Sequence, residues 1–334
     1  MAMHDLGYRN WDEEARYQKT SWLHISRYGA RLAWKSLWLK RLVLFSFFPA
    51  VFLAVFFFLY EQVASWPGIA EMLVPAIASV EGEDFIEVAS AVQLTREEIQ
   101  NPSEIPKKIL QTYVNEKRPV YWSQMVYYFF ARALGLVILI FGLISPRLIS
   151  RDVQSRAFLL YFSRPITPFQ YVLGKLVTIW LFLVLVFTLP ALFSYLLGVL
   201  VSPSLAVLLS TWLLPFRILA ATFLIALPTG LLALCLSSLV QEARYASFAW
   251  FAIWIVGYAS YRILLATQIS TAASTASLTT YTFISIYDVI HQNLQWVFGL
   301  VSFDTIKWFF LELVAISVIS YLILMRRVTA PIRI

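Results

Sequence analysis

The sequence predicts an all-α integral membrane protein with six transmembrane helices and an N-terminal helix lying in the membrane interface. Hydrophobic residues fill 60% of its 334 positions and charged ones only 13%, with a mean hydropathy of +0.72. A soluble core of that length cannot hide so much apolar surface. The apolar residues fall into six runs, each near the roughly 20 residues that cross a bilayer. Lys and Arg gather on alternate connections between those runs.

The N-terminal segment, residues 1–41, mixes Trp11, Asp12, Glu13 and Glu14 with several Arg. This is unlike a cleaved signal, so the first apolar helix is expected to stay as an anchor. Within it, 21–41 sets Trp22, Ile25, Leu32 and Leu39 among basic residues and Trp34 and Trp38, the pattern of an elbow helix in the headgroup zone. Spans are expected at 42–60, 124–144, 173–200, 212–239, 248–266 and 308–325. Between Leu173 and Leu239 the apolar run is broken by Pro190, Pro203, Pro215 and Pro228, and Ser202-Pro203-Ser204 is the best turn. The segment 61–123 carries ten acidic and five basic residues and predicts short helices, one over 95–114 capped by Thr95 and Glu98. The connection 267–307 is Ser/Thr-rich at first and then, over 284–300, apolar enough to dip into the membrane as a re-entrant piece. Residues 326–334 form a short tail.

Six spans put both termini on one side. That side collects seventeen Lys and Arg against five opposite, which places the termini in the cytoplasm of an inner (plasma) membrane protein. The net charge of +7 follows this topology and calls for no nucleic acid.

Catalytic motifs do not occur. Gly174-Lys175 is followed by Leu176 and lacks the upstream glycine of a P-loop, and there is neither H-E-x-x-H nor G-x-S-x-G. His4, His24 and His291 are scattered, and the single Cys235 sits in an apolar run. Glu81, Glu83, Asp84 and Glu87 read as a solvated acidic surface rather than a cation site. The expectation is a chain with no catalytic residue, metal or cofactor of its own.

The connection 145–172, between the second and third spans, is the most informative. Arg147, Arg151, Arg156, Arg164 and Lys175 bracket an aromatic run and two prolines. Arg151, Arg156 and Arg164 offer guanidinium forks for carboxylates; Phe158, Leu159, Tyr161 and Phe162 offer apolar anchors, and Pro165 and Pro168 stiffen the exit. Asp152, Leu159-Leu160, Ser163-Arg164-Pro165-Ile166 and Gly174-Lys175 together resemble the ABC-2 type permeases, the membrane subunits of ABC exporters, and in particular the branch with the permease of the nitrous oxide reductase maturation system. The sequence departs from that pattern in two places, since the family usually has Gly near Arg156 or Ala157 and often Arg near Thr167. The resemblance implies a type V exporter-like transmembrane domain. It also implies pairing with a second permease copy or a related permease, and a coupling helix at Arg151, Asp152, Arg156, Phe158, Leu159, Tyr161, Arg164 and Pro165. That helix would dock on a separate cytoplasmic ABC ATP-binding subunit, which would hold the ATP and Mg.

Ionisable residues also fall within or at the ends of the spans: Arg132, Arg217, Arg262, Lys307 and Glu312. Such groups cost a few kcal/mol at mid-depth and mark function by default. Arg132, Arg217 and Arg262, with Glu312, are expected to line a substrate pathway for an anionic headgroup, against snorkelling to the interface as the plain alternative. The competing functional class is an ATP-independent secondary transporter or channel, although no inverted repeat favours it.

Overall fold

The computed structural model describes residues 20–63, 66, 68–92, 104–155, 166–202, 206–270 and 281–329. Among these the elements are helices, with no strand, and six are long and apolar enough to cross a membrane. Helix α1 (Ser21–Ala33) precedes the first span, α2 (Leu37–Gln62). Two short helices, α3 (Ile69–Glu81) and α4 (Glu83–Ser90), lead to α5 (Glu104–Ile144), which continues through Ser145 into α6 (Pro146–Gln154). The third span joins α7 (Pro168–Leu183), a π-helical turn (Val184–Thr188) and α8 (Leu189–Val201). Then come the short α9 (Ala206–Ser210), α10 (Leu214–Leu239) and α11 (Ala243–Ser270). A 3-10 turn (Thr282–Ile284) and α12 (Ile286–Val297) precede the last span, α13 (Phe303–Thr329). With six spans the termini share one face of the membrane, the near face, and the opposite one is the far face.

Helix α1 is a separate element because Ser36, in extended conformation, caps α2 by accepting from the Leu39 N–H at 3.4 Å. A Ser there stabilises a helix start rather than a continuous helix, so the first span starts at Leu37 instead of residue 42. Helix α1 lies along α7 through two glycines. A Cβ at Gly174 would meet the Ile25 Cβ at 2.8 Å and the Trp22 carbonyl at 2.9 Å, and one at Gly29 would meet Thr178 Oγ1 at 2.7 Å. Ile25 faces Gly174 and Gly29 faces Thr178, so the sequence offset is constant and the two helices run the same way. Trp34 stacks on Phe182 at the end of this seam, while Leu23, Tyr28, Leu32 and Trp34 keep large exposed areas beside Arg27, Arg31 and Lys35. This apolar flank, rimmed by cations, runs beside the start of the third span.

The second span departs most from its expected length. Residues 104–144 form one helix of 41 residues, about 61 Å long at 1.5 Å per residue. That is twice the ~30 Å of bilayer hydrocarbon. Leu110 and Val114 pack on Ala70 of α3, and Tyr113 packs with Phe85 and Val88 of α4. Packing of this polar first half explains why it is helical where the sequence suggested a break before residue 124. The residues of the expected Thr95–Glu98 cap lie outside the described ones.

The far ends of α2 and α8 meet the middle of α5 at a buried charge pair. Arg118 donates to both Glu61 oxygens, at 2.8 and 2.9 Å, and to Asn115 Oδ1 at 2.7 Å, while Ser202 Oγ donates to Glu61 at 3.2 Å. Directly below, Phe57 stacks on Trp122 with ring centroids 4.2 Å apart.

Gly174→Ala is expected to lower the thermal unfolding midpoint in detergent, because the added methyl meets backbone and a β-branched stem that cannot swing away. Gly135→Ala, where nothing lies within 4 Å, should be neutral or stabilising by up to about 1 kcal/mol; equal shifts for the two would contradict the docked seam. Glu61→Gln strands a buried guanidinium and should cost about 3–5 kcal/mol, whereas the double change Glu61→Leu with Arg118→Met should recover most of it. Unfolding curves for the three proteins decide this.

Candidate functional site

The near face gathers the residues around the connection between the second and third spans. At the junction of α5 and α6, Ser145 Oγ donates back to the Phe141 carbonyl at 2.6 Å, and Pro146 opens α6 where its missing N–H costs nothing. The hydroxyl of Ser237, on α10, then serves α6 as a cap delivered from another helix. It accepts from the Ile149 and Ser150 N–H groups at 3.3 and 3.1 Å and donates to the Pro146 carbonyl at 3.0 Å. Helix α11 grips the same stretch from the other side. Trp250 Nε1 donates to the Ile138 carbonyl at 2.8 Å and Ser247 Oγ to the Gly142 carbonyl at 3.1 Å. Helix α6 is thereby tied to the fourth span, and the end of α5 that leads into it to the fifth.

Asp152 closes the arrangement. Its carboxylate receives Lys175 Nζ at 2.7 Å and the Tyr171 hydroxyl at 2.7 Å, both from α7. The side chains of Lys175 and Asp152 are only 8% and 15% exposed, so this pair is shielded and worth more than a surface bridge. At the start of α7 a full capping box adds a second constraint: Gln170 N donates to Thr167 Oγ1 and Thr167 N donates to Gln170 Oε1, each at 3.2 Å. Both ends of the segment 155–167 are therefore pinned.

Of the expected docking residues, Arg151 is exposed and Asp152 is held within the chain. Arg156, Phe158, Leu159, Tyr161, Arg164 and Pro165 lie outside the described residues. The first part of the expected loop, 146–154, is helical and continues the second span. Tyr171 and Ser237 emerge as site residues with no signal in the sequence, since a lone Tyr or Ser in an apolar helix has no motif.

Of the arginines of the expected substrate pathway, Arg132 and Arg262 both lie within electrostatic reach of Tyr287 and His291 on α12, while Arg217 is bound elsewhere. Arg217 Nη1 donates to Ser123 Oγ at 3.0 Å and to the Phe298 carbonyl at 2.7 Å. The carbonyl is available because α12 ends in a Schellman arrangement: Leu300 N–H bonds the Gln295 carbonyl, Gly299 N–H bonds the Trp296 carbonyl, and Gly299 takes φ +76°. A Cβ at Gly299 would sit 2.8 Å from the Arg217 guanidinium, so this glycine is required twice over. Arg262 pairs with Asp288 at 3.6 Å and covers the rings of Tyr258 and Tyr261. Glu312 meets none of these cations: its Oε2 is buried without a hydrogen-bond partner. Lys307 is exposed and 3.8 Å from Asp304.

Arg132 and Arg217 line different cavities of similar size. One of about 750 Å³ runs between α10, α12 and α13 with Arg217 at one end, its walls including Phe223, Leu227, Trp296 and Phe310. Another of about 760 Å³ lies between α2 and α5, lined by Phe48, Phe52, Phe56, Gln124, Tyr128 and Arg132 among others. Helix α12, in the connection expected to be re-entrant, is 12 residues or about 18 Å, too short to cross a bilayer. Among the described residues no group of three or more His, Cys, Asp or Glu could hold a metal ion.

No protein of curated function matches the sequence. The family model of ABC-2 family transporter proteins matches residues 33–327, from the end of α1 to the last turns of α13. That match takes in all six spans and both pinned ends of the near-face segment. The chain belongs to the ABC-2 family of transporter proteins, and is a multi-pass membrane permease of an ABC transporter that works with an ABC ATP-binding partner.

Proposed function

We propose that this permease is the transmembrane half of an exporter driven by ATP hydrolysis on a separate cytoplasmic subunit, with the near face in the cytoplasm. The observation that carries the reading is the fixation of α6 and α7 around residues 155–167: Ser237 ties α6 to the fourth span, and Asp152 ties it to Lys175 and Tyr171 of the third. A segment held at both ends passes a push from a docked partner to the spans, whereas a loose loop absorbs it. Arg151, with Arg156, Phe158, Leu159, Tyr161, Arg164 and Pro165, supplies the docking chemistry of cations and apolar anchors. The motif from Asp152 to Lys175 supports kinship with the branch containing the permease of the nitrous oxide reductase maturation system. The positive-inside bias supports cytoplasmic termini. The chain itself has no P-loop and hydrolyses nothing in this reading; ATP and Mg belong to its partner. Two permease copies, or this chain and a related one, complete the pathway.

The test is purification of the tagged chain from its host in mild detergent, with mass spectrometry and an ATPase assay of what accompanies it. A stoichiometric P-loop ATPase is expected, and it should be lost when Arg156→Glu and Phe158→Ala are combined. Asp152→Asn leaves Lys175 without its carboxylate and is expected to lower ATPase retention at least fivefold, a loss of about 1 kcal/mol in docking. Asp152→Asn combined with Lys175→Met should restore part of it, because the shielded cation is removed together with its carboxylate. A chain that purifies alone and inert under conditions that preserve other membrane complexes would move the ATP-independent transporter or channel to the front.

A further inference from the structure

Most polar groups in the spans are accounted for within the chain. Thr178, Ser194, Thr222, Thr229 and Ser317 return their hydroxyls to the carbonyl four residues earlier, and Arg217 is bound by Ser123 and Phe298. Glu312 Oε2 and the indole N–H groups of Trp122 and Trp254 have no such partner, and among the cations of the spans Arg132 stands out. Among the described residues no carboxylate or hydrogen-bond acceptor meets its guanidinium, and it is exposed.

Its depth makes this significant. The far end of α5's buried half is fixed by the Phe57–Trp122 stack, just below the Glu61–Arg118 pair that closes the first span. Arg132 lies ten residues further along α5, about 15 Å at 1.5 Å per residue. That is half the ~30 Å hydrocarbon thickness. A guanidinium can snorkel only several Å toward water, so Arg132 sits near the middle of the bilayer and is costly there unless an anion meets it.

The cavity around it has two unlike walls. On α5, Gln124, Tyr128 and Arg132 follow one another at helical spacing and turn polar groups into the groove. Gln124 Nε2 donates to the Tyr128 oxygen at 3.5 Å, which leaves the Tyr128 O–H free to donate onward. Tyr121, at the far rim of the groove, instead donates to Glu81 at 2.6 Å. On α2, Phe48, Phe52 and Phe56 recur every four residues, each more than half exposed, so the groove opens sideways among lipid-facing rings. An aromatic wall facing a ladder of donors that ends in an unpaired cation fits a molecule with a long apolar part and an acidic head, entering from the bilayer.

We propose that the α2–α5 groove binds a lipid with an anionic headgroup, whose acid is held by Arg132 and Tyr128 and whose hydrocarbon lies along Phe48, Phe52 and Phe56. This deepens the exporter reading by naming the class of molecule the permease engages. Binding itself needs no ATPase, so the two ideas fail separately: loss of the ATPase on purification leaves the groove untouched, and a groove without lipid selectivity leaves coupling untouched.

The full-length chain in detergent is titrated with phosphatidylglycerol and with phosphatidylcholine of the same acyl chains, and retention is read by native mass spectrometry. The wild type is expected to hold phosphatidylglycerol about tenfold more tightly, the scale of one charge-assisted hydrogen bond. Arg132→Gln should erase that preference, Arg132→Lys should keep part of it, and Tyr128→Phe should weaken it severalfold, with unfolding midpoints confirming that each variant is folded. Equal binding of the two lipids, or a preference untouched by Arg132→Gln, would overturn the proposal. So would efficient disulfide cross-linking between two copies carrying Phe52→Cys, which would show a second permease, not lipid, covering the groove.

Discussion

A polar group in hydrocarbon has no water to bond, and this constraint shapes nearly every feature of the molecule. It makes the spans helical, since a helix satisfies its own backbone. It sends the hydroxyls of Thr178, Ser194, Thr222, Thr229 and Ser317 back onto carbonyls one turn earlier. Where a helix starts, stops or bends, the freed groups are met from neighbouring elements: Ser237 serves the start of α6, and Arg217 takes the carbonyl that the end of α12 turns outward. The π-helical turn before Pro190 follows the same logic. Proline brings no N–H to the ladder, the register slips over Val184–Thr188, and Thr188 exchanges a hydrogen bond with Thr222 of the fourth span at 2.8 Å.

The same rule ranks the charged residues. Glu61 with Arg118 is paired bidentately, Asp152 is paired with Lys175, and Arg217 is bound to neutral acceptors. Each of these ties elements together and is structural in its immediate effect. Their locations divide the labour: one pair locks the far ends of the first three spans, and the other locks the near-face segment. Arg132 has no such role, and that contrast separates it from the other arginines better than position in the sequence does.

The sequence disclosed the spans, because mean hydropathy and run length are set by the bilayer rather than by neighbours. It disclosed the family too, through the short motif around Asp152 and Lys175. Helix limits were less legible. Residues 104–123 are polar enough to read as a surface segment, and their helicity comes from Leu110, Tyr113 and Val114 packing on α3 and α4, contacts that exist only once the chain has folded back. The break at Ser36 was hidden for the opposite reason: apolar residues continue across it, and a single capping side chain decides. Among site residues, Asp152 was marked by the motif, but its partner Tyr171 and the clamp Ser237 were not, because they act through geometry between helices distant in sequence. The expected grouping of Arg132, Arg217, Arg262 and Glu312 rested on shared depth alone; α12, which lies against both α5 and α10, binds Arg217 at its end and pairs with Arg262 through Asp288, with Arg132 and Arg262 both near Tyr287 and His291.

The unusual length of α5 turns the second span into a lever arm. Its near end is clamped through α6 to the third and fourth spans, and its far end stands well beyond the first span's last turn, carrying α3 and α4 with it. Because the Glu61–Arg118 pair joins α5 to α2, a tilt of only about 5° about the near clamp would carry the first span with it and sweep the far tip of α5 through about 5 Å, since a 41-residue helix is some 61 Å long. Small displacements at one face of the membrane are thus magnified at the other without any helix having to bend.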